Sequence, residues 1–366
     1  MPTVRSIAGT SRNPACQRRA ALEIAGRLNV AEVAAACGAT STLVPSRIAT
    51  ARGVRFEETV LGGDAAELRA LIRTRLDVTI DASVAADLRR VDDTDDVLAA
   101  RAEATSRWLR TLPGSLPAVA RGAVVRLQLG SLELALELDA LVWTGTHLMI
   151  VEVKSFATID AHVAPDGAAD AAIQAAAYAL ALRAQLADLA IAVEVHDSAC
   201  LITAYNFTLR PTLHVLPLAE HLAILEVALE RLADQIDDSS GLPATRLDPR
   251  GLGDPAQPAV RAAQAANRHA LQSLQPHLIP GCLGRCPMFQ VCRDEVRGTP
   301  SVEQIASFGA GHAERLAGAG SLQRAAELAA GADPKPDEET VAVSLQQVAA
   351  LLAAAFGDPA GLRGAA

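Results

Sequence analysis

The chain is poor in aromatic residues: Phe, Trp and Tyr together make up 3% of its 366 residues. That gives no support to recognition of bases by stacking, which relies on aromatic rings. No run of about 18 uninterrupted apolar residues occurs, so no segment reads as a membrane span. The six cysteines do not make a small secreted disulfide framework in a chain this long. No internal repeat stands out. The formal net charge of -9 argues against a protein that coats nucleic acid non-specifically, because phosphate binding is carried by Lys and Arg. A local basic groove remains compatible with that charge.

What is present is a chain with 50% hydrophobic residues, rich in alanine. Such a composition favours closely packed helices, and the length suffices for one large domain or two modest ones with a sizeable core. Arg5, Arg12, Arg18 and Arg19 all precede the first acid, Glu23, a bias shared with transit peptides. Cys16 and the arginines beside it have a better use inside a fold, so the expected location is cytoplasmic, with no membrane partner.

Along the chain, Asn13-Pro14 sets a turn before a helix over about 16–28, and residues 46–110 read mostly as helix. Asp92-Asp93-Thr94-Asp95-Asp96 reads as a helix start or solvated loop rather than a metal site, since acids favour helix N-termini. Beyond Pro113-Gly114 and Pro117, strands are predicted at about 122–130, 132–143 and 147–156. An Ala-rich helix follows at 168–187, then strands at 190–195 and 199–207, then helices at 218–237, 258–274, 301–316 and 340–356. Residues 331–339, with two prolines and four acids, read as a linker.

Trp143-Thr144-Gly145-Thr146-His147 is a turn-like break. A two-residue Gly145-Thr146 loop of type II′ puts Asp139 directly opposite Glu152, and opposed residues share a sheet face. Lys154, two residues beyond Glu152, shares it as well. Leu148-Met149-Ile150-Val151 reads as a buried strand, and polar groups at its end are costly without a function. Two carboxylates and a lysine at one point suit metal-assisted phosphodiester hydrolysis. Mg²⁺ takes oxygen ligands and often only a few carboxylates, here Asp139 and Glu152, with the Val153 carbonyl as a third. Lys154 would orient or help deprotonate the attacking water. Gln174 and Tyr178, four residues apart, lie on one helical face, where they can orient substrate and support Lys154.

Cys282, Cys286 and Cys292 fall within eleven residues, and Cys16 lies near the other terminus. Four thiolates suit a [4Fe–4S] cluster or a structural Zn²⁺. Cys37 and Cys200, in apolar contexts, read as core residues.

The order Asp139, Glu152-Val153-Lys154, Gln174-x-x-x-Tyr178 resembles the PD-(D/E)xK nuclease superfamily, in its RecB-like branch. The resemblance covers roughly residues 45–210, and with the cysteines it reaches from 16 to 292. In that branch an earlier helix carries glycine, a spacer and then His or Glu. Arg52-Gly53-Val54-Arg55-Phe56-Glu57-Glu58 occupies that place, which implies a metal-ligating role for Glu57, with Glu58 as a substitute. The cysteines are similar to those of the branch's iron–sulfur nucleases, the CRISPR-adaptation and AddB-type enzymes, where they staple the chain ends around the core. In those relatives the first two C-terminal cysteines have two residues between them; here Cys282 and Cys286 have three.

The resemblance implies an α/β fold with a restriction-endonuclease-like core, a central mixed sheet flanked by helices. Helical N- and C-terminal regions would be joined by the four-cysteine cluster. The expected organisation is a cluster-contributing segment at 1–44, the nuclease core at 45–215, a helical region with the C-terminal cysteines at 216–300, and a helical tail at 301–366. The implied function is a Mg²⁺- or Mn²⁺-dependent DNase acting on single strands or DNA ends. Arg47, Arg52 and Arg55, with Arg18 and Arg19, are the candidate lining of the DNA path. A helicase or other DNA-processing protein is the expected partner, with the 340–356 helix as its docking element. Two other readings are a non-cutting nucleic-acid-binding or scaffold subunit, and a zinc-stapled interaction protein.

Overall fold

The structure, a computed structural model, describes residues 3–39, 47–81, 85–91, 96–160, 162–206, 208–238, 248–279, 281–298, 319 and 322–356. The predicted 301–316 helix and residues 92–95 of the Asp-rich stretch lie outside them. Strands are β1 (Ala85–Asp87), β2 (Ala118–Arg121), β3 (Val124–Leu129), β4 (Leu132–Glu137), β5 (Ala140–Trp143), β6 (His147–Thr158), β7 (Glu194–Val195), β8 (Ser198–Tyr205) and β9 (Pro211–Pro217). The helices are α1 (Val4–Ser11), α2 (Gln17–Arg19), α3 (Val30–Ala36), α4 (Arg47–Leu61), α5 (Ala66–Leu76), α6 (Val97–Arg110) and α7 (Pro165–Asp188). They continue with α8 (Ala219–Asp238), α9 (Pro258–Ala270), α10 (Cys282–Arg285), α11 (Phe289–Gly298), α12 (Leu322–Ala329) and α13 (Glu339–Phe356).

The chain packs as two compact units. The first comprises Met1–Pro14, Ala20–Leu28 and Val44–Leu242; the second comprises Ala15–Arg19, Asn29–Leu43 and Pro243–Ala366.

The first unit is α/β, with a mixed seven-stranded sheet in the order β1-β2-β5-β6-β8-β9 and β7 beside β6. β1 runs parallel to β2, and β6 parallel to β7 and β8; the remaining neighbours are antiparallel. The strands at its centre are buried on both faces, and alternation sends their side chains into two cores. Leu141, Trp143, Leu148 and Ile150 meet the small residues Ala172, Ala175 and Ala176 of α7. Val142, Met149 and Val151 meet Phe56 and Val60 of α4 and Ile72 of α5.

Turn chemistry fixes the central hairpin. Gly145 takes the positive φ of +97°, Trp143 pairs with Leu148, and Ala140 pairs with Val151. This is the register that places Asp139 across from Glu152.

The strand expected at 132–143 is divided. Its first half, β4, pairs only with β3 in a separate two-stranded sheet, and its second half, β5, enters the main sheet. Asp139 occupies the corner between them, where Gly122 N–H donates to its carbonyl at 3.0 Å and Leu138 N–H donates to Ala123 O at 2.8 Å. β1 lies inside the region read as helix, and β9 follows the last strand read from the sequence. The helix expected over 16–28 becomes α2 followed by a π-helical turn, Ala20–Ala25. Asp96 caps α6 by accepting from Ala99 N–H at 2.9 Å, the helix-start role expected of that acidic stretch.

In the second unit, the Asn267 amide of α9 donates to Ala36 O at 2.7 Å, and its carbonyl accepts from Asp248 N–H at 2.7 Å. Arg268 donates to Cys37 O at 2.7 Å. Residues 331–338 connect α12 to α13 as a bonded turn: Arg324 donates to Glu338 at 2.6 Å and to Asp333 O at 2.8 Å. Among the described residues no helix is long and apolar enough to cross a membrane.

Candidate active site

β6 ends its apolar run at Val151 and then presents Glu152 and Lys154 on the α7 side of the sheet. Asp139 Oδ2 accepts the Val153 N–H at 2.7 Å, which draws the corner residue onto the opposing strand. The contact of Val153 with Asp139 is thus made through its N–H. Glu152 is only 3% exposed. It pairs with Lys154, while its Oε2 finds no hydrogen-bond partner among the described residues. Lys154 Nζ donates in turn to Gln174 Oε1 at 3.0 Å. One turn further along α7, the buried Tyr178 hydroxyl donates to the Glu137 carbonyl at 2.5 Å. Gln174 therefore serves the lysine, and Tyr178 anchors the backbone just before Asp139.

The electrostatics follow from crowding two carboxylates around one ammonium. Burial first, and then the charge of Asp139, push Glu152 up to about 7, against the pull of Lys154. Burial also raises Asp139, opposed by Lys154 and by the Val153 N–H. Tyr178 is held well above its ordinary value by burial and by the same two acids. With both acids ionised, one formal negative charge is left uncompensated within this group, an expensive condition in a low-dielectric interior that a proton on Glu152 or a bound cation relieves.

Glu57 stands on α4 with an exposed side chain. Partial burial of its carboxyl, followed by the charge of Asp139, raises its proton affinity. Among the described residues, no three His, Cys, Asp or Glu side chains are gathered closely enough to hold a metal ion. The site is thus a two-carboxylate pair with Glu57 at its edge. Such a donor set fits Mg²⁺ or Mn²⁺, which bind protein through one or two carboxylates and keep water on their other positions.

Of the arginines expected along a DNA path, Arg47 and Arg55 are exposed on α4. Arg52 is committed to carbonyls, donating to Ser155 O and Thr208 O at 3.3 Å each. Arg18 is interior. Its guanidinium donates to Leu274 O at 3.0 Å, Leu271 O at 2.8 Å, both Glu295 oxygens at 2.7 and 3.0 Å, and Cys292 Sγ at 3.3 Å. Five N–H groups are thereby used, leaving none for solvent-borne phosphate. One arginine had no signal in the sequence: Arg5 on α1 lies within electrostatic reach of Asp139, Glu152 and Tyr178.

In the second unit, Cys16, Cys282, Cys286 and Cys292 line one recess together with Arg18 and Arg19. All six cysteines of the chain are free thiols. Burial pushes Cys286 up to about 11 and Cys292 up to about 12, against the neighbouring arginines. As they stand, no three of these cysteines are gathered closely enough to hold one metal ion; their donor chemistry is that of an iron–sulfur cluster or Zn²⁺, and metal binding would convert such buried thiols to thiolates. Cys37 and Cys200 are fully buried and are not among the residues lining this recess, as expected of core residues.

Neither a protein-family model nor a curated protein matches the sequence.

Proposed function

We propose that the protein is a metal-dependent nuclease that hydrolyses phosphodiester bonds of DNA, at single strands or ends. The reading places its first unit with the restriction-endonuclease-like cores of the PD-(D/E)xK superfamily, RecB-like branch. One observation carries it: Glu152 is buried beside Asp139 with an oxygen that has no partner among the described residues, and with both acids ionised the pair holds more negative charge than Lys154 offsets. A divalent cation would meet that excess.

Asp139 and Glu152 would hold Mg²⁺ or Mn²⁺, with the Val153 carbonyl and Glu57 as further oxygen donors. Bound there, the ion supplies Lewis acidity and a lowered pKa for water. Lys154, held by Glu152 and Gln174, faces the same group and stabilises negative charge developing on the phosphate. Tyr178 keeps the approach to Asp139 in place through the Glu137 carbonyl. The four-cysteine recess would hold a [4Fe–4S] cluster in an architectural role, or Zn²⁺ in the same role. The remaining assignments are a cytoplasmic location and a helicase or other DNA-processing partner.

The test is cleavage of end-labelled single- and double-stranded DNA by anaerobically purified protein with Mn²⁺ or Mg²⁺. Cutting should require the metal and fall by about 10²–10⁴-fold in Lys154→Ala, the range for loss of a group acting in proton transfer. Failure of a folded, metal-loaded protein to cut any of these substrates would overturn the assignment.

A further inference from the structure

α1 opens on a reciprocal cap between Thr3 and Ser6 and packs along α7 in the first unit. Arg12, at its C-terminal end, pairs with Asp170 of α7. Asp170, Gln174 and Tyr178 follow at four-residue spacing along one stripe of α7. Arg5 and Arg12 are seven residues apart, two helical turns, and so project from the same side of α1. At about 1.5 Å rise per residue, Arg5 lies about 10 Å from Arg12, and Tyr178 about 12 Å from Asp170. Arg12 seated at Asp170 and Arg5 within electrostatic reach of Tyr178, Asp139 and Glu152 together set α1 antiparallel to α7, and these spacings then bring Arg5 level with Tyr178.

Two other cations near this point are occupied. Lys154 is shared by Glu152 and Gln174, and Arg52 is bonded to two carbonyls. Arg5 is exposed, and its guanidinium makes no hydrogen bond or ion pair with a described residue. An exposed, long cation within electrostatic reach of a carboxylate pair, yet bonded to neither acid, has its donors available for an incoming anion. A guanidinium fork matches two oxygens of a phosphate.

We infer that Arg5 grips a backbone phosphate of the nucleic-acid substrate, seating the strand over Asp139 and Glu152. The inference rests on the nuclease reading and adds to it a substrate-binding residue from outside the expected motifs.

The experiment compares full-length wild type, Arg5→Ala and Arg5→Lys. Binding of a labelled single-stranded oligonucleotide is measured in Ca²⁺ across a salt series, and Mn²⁺ binding is measured without DNA. Arg5→Ala should melt with the wild type, because the side chain makes no bond to lose. Its DNA affinity should fall about tenfold, and its salt dependence should flatten by about 0.7, one phosphate contact on a single strand. Its Mn²⁺ affinity should be equal or tighter, since a nearby positive charge has gone. Arg5→Lys should keep the salt dependence and recover part of the affinity.

Unchanged DNA affinity and salt dependence in Arg5→Ala, with a wild type that cuts DNA, would overturn the role of Arg5 and leave the nuclease reading standing. A parallel fall in Mn²⁺ affinity would also overturn it, because Arg5 would then be shaping the site rather than holding substrate. A wild type that binds Mn²⁺ but neither binds nor cuts DNA would overturn both.

Discussion

Lys154 and Gln174 are joined by a 3.0 Å hydrogen bond from the ammonium to the amide oxygen, which ties the end of β6 to the middle of α7. Gln174 is 6% exposed, so its amide points inward and has little alternative to the lysine. Gln174→Ala should cost about 1 kcal/mol of stability, the net worth of a typical hydrogen bond. Its larger effect should be on turnover, lowered about tenfold with unchanged Mn²⁺ affinity, as Lys154 collapses onto Glu152. Melting curves and single-turnover cleavage check the two numbers; a variant that cuts at the wild-type rate would remove Gln174 from the site.

Glu152 sets a pH dependence whose sign reverses with metal. Its carboxyl is raised from 4.5 to about 7, so without metal the folded state binds the proton more tightly than the unfolded state. That contribution is fully present below about 4.5 and is lost as the pH rises through about 7. Mn²⁺ requires the carboxylate and should therefore stabilise the protein more at pH 8 than at pH 5.5. Melting temperatures with chelator and with excess Mn²⁺ at the two pH values measure this. Glu152→Gln should be the more stable protein at pH 8 in chelator and should show no Mn²⁺ response. A Mn²⁺ shift equal at both pH values would exclude Glu152 as a ligand.

The recess lined by Cys16, Cys282, Cys286 and Cys292 predicts bound metal. Protein purified anaerobically should carry iron with absorbance near 400 nm, or zinc without colour. Cys16→Ala should lose that metal and Cys37→Ala should keep it. Elemental analysis decides, and normal metal content in Cys16→Ala would sink the assignment.

Arg18 has a structural prediction of its own. Its side chain is 1% exposed and paired with Glu295, and breaking a buried pair from one side costs about 3–5 kcal/mol because the partner is left uncompensated. Arg18→Met should destabilise the second unit by that order, read by denaturant unfolding. Exposed Arg55→Ala should change stability by less than about 0.5 kcal/mol.

The part of the fold legible in the sequence is the part fixed by short-range chemistry. Gly145-Thr146 set the hairpin register, and four-residue spacing put Gln174 and Tyr178 on one stripe of α7. Elements that exist through long-range pairing were not legible. β1 is Ala-Ala-Asp, indistinguishable from helix by composition, and is a strand because it lies parallel to β2. β9 is bounded by Pro211 and Pro217, punctuation that reads as loop; as the last strand in the sheet order it tolerates proline. The division of 132–143 between two sheets falls where Leu132–Leu138 alternation gives way to the unbroken apolar run Ala140–Trp143, and such a change is also what one strand entering a deeper core would show. Arg5 was hidden for a related reason. Its place depends on how α1 lies against α7, which no local motif records.

The corner between β4 and β5 has a further implication for Asp139. Main-chain bonds hold the chain on both sides of it, from Gly122 N–H to its own carbonyl and from Leu138 N–H to Ala123 O. Position at this residue is thus specified largely by the backbone, with the carboxylate adding one bond of its own from the Val153 N–H. An amide in its place keeps an oxygen to accept that bond, so charge can be removed while the corner keeps its place.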